Sequence, residues 1–277
     1  MGKLVRSFFM VCALFWSVGA LAQISATVDA PFVFGATHAF HSNVLGQDRV
    51  LNVYLPEGYA DSTLSYPVIY VLDGSRNEDF PHVAGLAQYM NMYELLPNSI
   101  VVGIANAGPS RRRDFTSPTQ SDSDKVWIPT HGGSAAFIHF IEKEVQPMVQ
   151  GRYRTGGRRT IIGQSLGGLL AAEILFTRPE LFDDYILISP SLWWNNGALA
   201  AGAAAWVKAH AAEPKRVYIA SAPDDSMMQE ELDQVVAAFR ADAKPPLTWW
   251  HVPFPEESHL TIHHRAVYKA FELLNPK

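Results

Sequence analysis

Hydrophobic and polar positions along the chain fall into two alternating patterns. Eight short stretches rich in β-branched and aromatic residues, each closed by turn residues, predict strands at 33–40, 50–55, 68–72, 100–104, 160–162, 185–188, 217–220 and 247–252. The third to the seventh are continuous apolar runs, PVIYVL and SIVVGIA among them. Strands buried on both faces of a parallel sheet have this character. Between the later strands the period lengthens. Met228, Leu232, Val235, Val236 and Phe239 share one helical face, as do Phe137, Phe140, Ile141 and Val145 behind Ser134, the expected N-cap. Strands alternating with helices imply right-handed crossovers and a doubly wound, mostly parallel eight-stranded α/β sheet with helices on both faces. Reactive groups on such a sheet gather at the carboxyl ends of its strands.

The first 22 residues depart from this rhythm. Lys3 and Arg6 precede an apolar run over 8–18 and the triplet Ala20, Leu21, Ala22, the form of a secretory signal peptide cut before Gln23. The run is shorter than the roughly 20 residues a spanning helix needs, and no later segment is apolar enough to span. The expectation is a signal peptide over 1–22 and one domain over 23–277, located in the periplasm or secreted, with no membrane span. No repeat or Pro/Gly-rich linker divides that domain.

The only cysteine, Cys12, leaves with the leader. Disulfides, thiolate metal sites and cysteine nucleophiles are thereby excluded from the mature chain. Net charge is −5 for the whole chain, and −7 without Lys3 and Arg6. Nucleic acid is not an expected partner, because its binding rests on clustered Lys and Arg, and the one basic cluster is Arg111, Arg112 and Arg113. None of these features sets an oligomeric state.

Directly after the strand RRTII stands Gly163-Gln164-Ser165-Leu166-Gly167-Gly168, followed at once by the helical run LLAAEILF. A serine on a tight strand-to-helix turn needs glycines beside it, because the turn strains the backbone and brings strand and helix close. That context makes a nucleophile elbow of what is otherwise a common glycine turn, and gives the chain an α/β-hydrolase fold. The backbone N–H of Leu166, opening the helix, points where an oxyanion would sit. A second donor is expected from the loop after the third strand, at the N–H of Ser75 or Gly74.

A serine hydroxyl needs a base within hydrogen-bond reach, itself oriented by an acid. In this fold the chain order is Ser, Asp or Glu, His. His38, His41 and His139 read as packing or surface residues, and His131, leading two glycines, as a turn into a helix. His259, on the loop after the last strand, stands where the base belongs; His251, His263 and His264 are the alternatives. The loop after the seventh strand offers Asp225 as the acid, preferred to Asp224, one of which could simply cap the next helix. If neither reaches His259, the site is a dyad.

At these motifs the sequence resembles the esterase D-like family of α/β-hydrolases. That group includes siderophore esterases of the enterobactin type, feruloyl and acetyl-xylan esterases, S-formylglutathione hydrolases and mycolyltransferases. The carrying segments are YPVIYVLDG, RRRDFTSPT, TIIGQSLGGLLAAEILFTRPELFDDYILISPSLWW, and ESH at 257–259. The resemblance implies Ser165 as nucleophile, His259 as base, a small-molecule ester as substrate, and no metal or other cofactor. Two departures stand out. The family's R-x-R-D-x-T-P pattern carries an extra residue, Ser117, before Pro118, and the glycine usual before the acid is replaced by Ala222-Pro223.

Other features have two readings. Arg111 and Arg113 either hold an anionic or catecholate substrate or form a solvated loop. Trp193 and Trp194 either wall an acyl pocket or pack in the core. Asp122, Ser123 and Asp124 lack the glycine and distal glutamate of a calcium loop and read as solvated. Trp249 and Trp250, adjacent on a strand, face opposite sides and pack. Taken together, the residues point to an exported serine esterase acting on siderophore, carbohydrate or aryl esters. An acyltransferase on the same site, or a non-catalytic binding module on the hydrolase scaffold, are the competing classes.

Overall fold

In order along the chain, the strands are β1 (Ala36–Ser42), β2 (Gln47–Tyr54), β3 (Tyr66–Val71), β4 (Ile100–Ile104), β5 (Thr155–Gln164), β6 (Asp184–Ile188), β7 (Arg216–Ser221) and β8 (Thr248–Pro253). They come from a computed structural model that describes residues 29–223 and 229–277. All eight predicted strands are present, joined in one sheet of order β1-β2-β4-β3-β5-β6-β7-β8. The pair β1 and β2 is an antiparallel hairpin, and β2 meets β4 antiparallel. From β4 to β8 every neighbour is parallel. The described residues from Phe34 to Lys277 fall in one compact unit, and the leader expected over 1–22 lies outside the described residues.

The largest difference in strand extent is at β5. Its pairing with β3 begins at Tyr66 and Thr155, with a register shift before Val68 meets Arg159. The polar, glycine-containing start TGGR carries no apolar signal, so only the pairing partner reveals it as strand.

The helices are α1 (Asp79–Met92), α2 (Arg111–Asp114), α3 (Asp122–Trp127), α4 (Ser134–Phe140), α5 (Gln146–Arg152), α6 (Leu166–Thr177), α7 (Trp194–His210), α8 (Gln229–Asp242) and α9 (Ile262–Leu274). A π-helical turn over Ile141–Val145 joins α4 to α5. On one face of the sheet α4, α6, α7 and α8 bury Phe137, Leu170, Val207 and Phe239. On the other, α1 and α9 bury Val83, Met90, Val267 and Phe271. Trp249 packs into the first of these cores and Trp250 into the second, as their adjacency on a strand requires. Ser134 is not a cap: Gly133 holds that position, and the Ser134 hydroxyl donates to Glu173 at 2.8 Å.

The chain runs from β3 outward to β4 on one side, then returns to add β5 and β6 on the other. Connections thus leave β3 and β5 in opposite directions. A crevice opens outside the carboxyl ends of two such strands, and here those ends are Leu72 to Ser75 and Gln164 to Ser165.

Candidate active site

Ser165 sits between β5 and α6 with φ 57° and ψ −121°, a conformation that a residue with a Cβ rarely adopts. Three backbone hydrogen bonds impose it. Its N–H donates to the Ile188 carbonyl at 3.0 Å, and its own carbonyl accepts from Leu169 at 2.9 Å and Ser191 at 3.1 Å. The glycines make the turn possible. A Cβ on Gly163 would collide with the carbonyl of Gly167, and one on Gly168 would lie 2.9 Å from Pro190 Cα. The first N–H groups of α6, Leu166 among them, have no acceptor within the helix and face the crevice end of the strand.

Ser191 is a neighbour that the sequence did not single out. Its hydroxyl oxygen lies 3.4 Å from that of Ser165, and its only sequence signal is its place just past the carboxyl end of β6.

The loop from β8 to α9 comes to the same place. The side chain of Gln164, the residue before the serine, donates through Nε2 to the carbonyl of His259. His259 is half-buried. The three alternatives are engaged elsewhere. His251 Nε2 lies 3.1 Å from Ser221 Oγ, and burial lowers its pKa. His263 is buried behind Gln164, and His264 packs against His82 with ring centroids 4.6 Å apart. Asp224 and Asp225, the expected acid and its alternative, lie outside the described residues. The loop that leads to them leaves β7 at its carboxyl end through Ala222 and Pro223.

Of the two oxyanion candidates after β3, Gly74 is ruled out. Its N–H is taken by the Ile104 carbonyl at 3.0 Å. Glycine is needed there for another reason, since a Cβ would run into the backbone of Gly103 and Ile104 on β4. Ser75 N–H makes only a 3.4 Å contact with Glu78 Oε2, and it remains the candidate.

The arginines do not act as one cluster. Arg111 grips Asp73 in bidentate fashion, with Nη2 to Oδ2 at 2.7 Å, and Asn106 adds a bond to Asp73 Oδ1 at 2.7 Å. That carboxylate borders the elbow: its Oδ2 is 3.3 Å from where a Cβ on Gly167 would be. Arg113 instead bonds Asp114 at 2.9 Å, joining a buried pair in which Arg49 meets Asp114 at 2.6 Å. Arg113 is therefore part of a structural ion network, neither the substrate contact nor the solvated loop residue that the sequence offered as its two readings. The carboxylates around Asp73 also disturb Asp79 at the start of α1. Burial, then the charges of Asp73 and Glu78, push its pKa up to about 7.

Trp194, for which a pocket wall and the core were the two readings, is 2% exposed and donates from Nε1 to the Ser117 carbonyl at 3.0 Å. It is a core residue. Trp193 is half-buried and stands edge-on to Trp127 of α3, centroids 6.3 Å apart. Trp127, which sequence reasoning passed over, is 64% exposed. Asp124 is not solvated as expected. It is buried, accepting from Thr119 Oγ1 at 2.9 Å and from the Asn195 N–H at 2.7 Å, and so fastens α3 to the turn after Trp194. Among the described residues no group of three or more His, Asp or Glu is arranged to hold a metal ion, and no helix is long and apolar enough to cross a membrane.

A parallel sheet with a strained serine at its switch point defines an α/β-hydrolase. Comparison with known proteins narrows the class: the family model described as "Putative esterase" matches residues 42–245. The chain belongs to that family. It is 37% identical over 145 residues to the ferri-bacillibactin esterase BesA of Bacillus subtilis, covering 47% of this chain and 49% of that protein. It is 33% identical over 190 residues to the siderophore triacetylfusarinine C esterase of Aspergillus fumigatus, covering 60% and 59%. The chain thus spans about half the length of the curated relatives it matches. Among solved structures, an IroE-like serine hydrolase from Shewanella oneidensis superposes with TM-score 0.77 at 29% identity, over 87% of this chain and 80% of that one. The BES protein from Bacillus cereus superposes with TM-score 0.78 at 23% identity, over 91% and 100%, a likeness of fold.

Proposed function

We propose that the protein is an exported serine esterase that cleaves siderophore esters. In the first step the Ser165 hydroxyl passes its proton to His259 as its oxygen attacks the ester carbonyl. The N–H groups of Leu166 and Ser75 receive the oxyanion. Collapse of the tetrahedral intermediate breaks the bond to the alcohol, which leaves with the proton returned by His259. Water, deprotonated by the same imidazole, then adds to the acyl-enzyme, and the acid departs as Ser165 regains its proton. Asp225 is the proposed orienting acid.

The observation that carries this reading is the strained φ of Ser165, pinned by three backbone bonds next to a residue whose side chain holds the His259 carbonyl. A scaffold that only binds ligands has no use for that strain, which costs about 1–3 kcal/mol. The substrate class is supported by the two siderophore esterases among the relatives and by the aromatic edge of Trp127 and Trp193. With a net charge of −7 once Lys3 and Arg6 are removed with the leader, attraction of an anionic ferric complex must be local rather than global. Export rests on the leader, Lys3 and Arg6 followed by the apolar run to Val18.

A fluorophosphonate probe tests the nucleophile. The wild type is expected to label and Ser165→Ala to stay blank, while ferric and iron-free siderophore esters are hydrolysed faster than feruloyl or acetyl-xylan esters. A wild type that never labels refutes the esterase; preference for the carbohydrate-linked esters refutes the substrate class.

A further inference from the structure

Behind the elbow a short polar chain links helix α9 to the loop that carries His259. His263 Nδ1 lies 3.0 Å from Gln164 Oε1, and Gln164 Nε2 donates to the His259 carbonyl. Each group has only one role open to it. A carbonyl oxygen cannot donate, so the Gln164 end facing His259 must be the NH2. Its oxygen then faces His263, whose Nδ1 must carry the hydrogen. The opposite amide orientation would set oxygen against oxygen at one end and leave His263 to accept at the other.

We infer that Gln164 and His263 are positioning residues: together they form a strut that fixes the His259 loop over Ser165. The inference rests on the esterase reading above, in which His259 is the base. The chain of causes runs from the residue preceding the nucleophile, rigid in β5, to a helix on the far core. Because Gln164 is covalently next to Ser165, the strut measures the base loop directly against the nucleophile. One residue thus sets the position of both.

The environment of His263 keeps the strut in one state. It is buried, and its Nε2 has no hydrogen-bond partner. Burial foremost, then His82 on α1 and His264 on α9, hold its pKa down at about 4, against the opposing pull of Asp73. Asp79 on α1 is the remaining acid facing it, with Oδ2 3.8 Å from Nδ1. Above pH 5 the ring is therefore neutral, its single hydrogen on Nδ1 and given to Gln164. The strut therefore keeps one protonation state from pH 5 upward.

The substitution His263→Leu keeps the volume and removes the donor, whereas His263→Asn places an N–H near the position of Nδ1. A misplacement of about 1 Å at a reacting group costs on the order of 100-fold in rate. Labelling by fluorophosphonate and kcat for a nitrophenyl ester are expected to fall about 10- to 100-fold in His263→Leu with KM nearly unchanged, and to recover to within a few-fold in His263→Asn. Gln164→Met breaks the strut from its other end without touching the core. It should show a similar loss, and the double variant Gln164→Met/His263→Leu should be no slower than the worse single variant, as for two members of one unit. Thermal melts recorded alongside separate loss of fold from loss of rate. A folded His263→Leu or Gln164→Met that labels at the wild-type rate overturns the inference, as do additive losses in the double variant. A wild type that does not label overturns the esterase reading and the strut with it, whereas loss of labelling in Ser165→Ala alone leaves the esterase standing and removes the strut.

Discussion

Replacing Ser165 by glycine and by alanine gives two variants without the hydroxyl that should differ in stability. Both lose the 3.4 Å contact to Ser191 Oγ, and both keep the backbone bonds from Ile188, Leu169 and Ser191. They differ in how they tolerate φ 57° and ψ −121°. Alanine retains the Cβ and with it a strain of about 1–3 kcal/mol. Glycine meets no such penalty but loses more freedom on folding, at a cost of roughly 0.5–1 kcal/mol. The difference leaves Ser165→Gly more stable than Ser165→Ala by about 1 kcal/mol, or a few degrees in Tm for a chain of this size, at about 2–4 °C per kcal/mol. Ser165→Gly should also exceed the wild type, since the serine bears the same strain. Urea melts of the three proteins, followed by tryptophan fluorescence and far-UV circular dichroism, measure both differences. A Ser165→Ala variant as stable as Ser165→Gly would refute the argument that the elbow stores strain.

Two further outcomes follow from charged groups away from the elbow. Asp184, fully buried at the amino end of β6, is clamped by Arg158 of β5 at 2.6 Å and by Arg216 of β7, Nε to Oδ1 also at 2.6 Å. Asp184→Ala leaves two guanidinium groups facing one another and should cost about 2–4 kcal/mol, allowing for their partial exposure. The arginines hold the Asp184 pKa below the usual carboxylate range against the opposing effect of burial, so its contribution is present above pH 4 and is lost as acid protonates it, and acid melts of wild type and variant should converge. Asp79 has the opposite sign. Its pKa rises from 3.8 to about 7 on folding, so the native state binds the extra proton and stability is lost as pH rises from about 4 to 7. The full displacement corresponds to at most about 4 kcal/mol, and screening of a carboxyl with 30% exposure reduces that to about 1–2 kcal/mol. Asp79→Asn is therefore expected to raise Tm at pH 8 and leave it unchanged at pH 4; equal gains at both would exclude the charge as the cause.

The pattern of apolar stretches located the eight strands: burial on both faces leaves the central ones as continuous runs that need no partner to be recognised, and β-branched and aromatic residues between turns marked the outer ones, β1 and β8, which are mostly exposed or half-buried. It located the elbow as well, since Gly163, Ser165, Gly167 and Gly168 answer to local geometry: a sharp turn, a close strand-to-helix approach and one positive φ. Chain order brought attention to the loop of His259 for the same reason of local placement. Tertiary structure alone decided which like residues do unlike work. Arg111 and Arg113 stand two apart in sequence, yet one grips Asp73 beside the elbow and the other is drawn into the buried Arg49 and Asp114 pair. Trp193 and Trp194 are neighbours, and only the second is core. Gly74 offered an amide that β4 had already taken, and the strut of Gln164 and His263 spans 99 positions. Hydrogen bonds and ion pairs of that kind depend on distances set by packing between elements, and no periodicity along the chain records them.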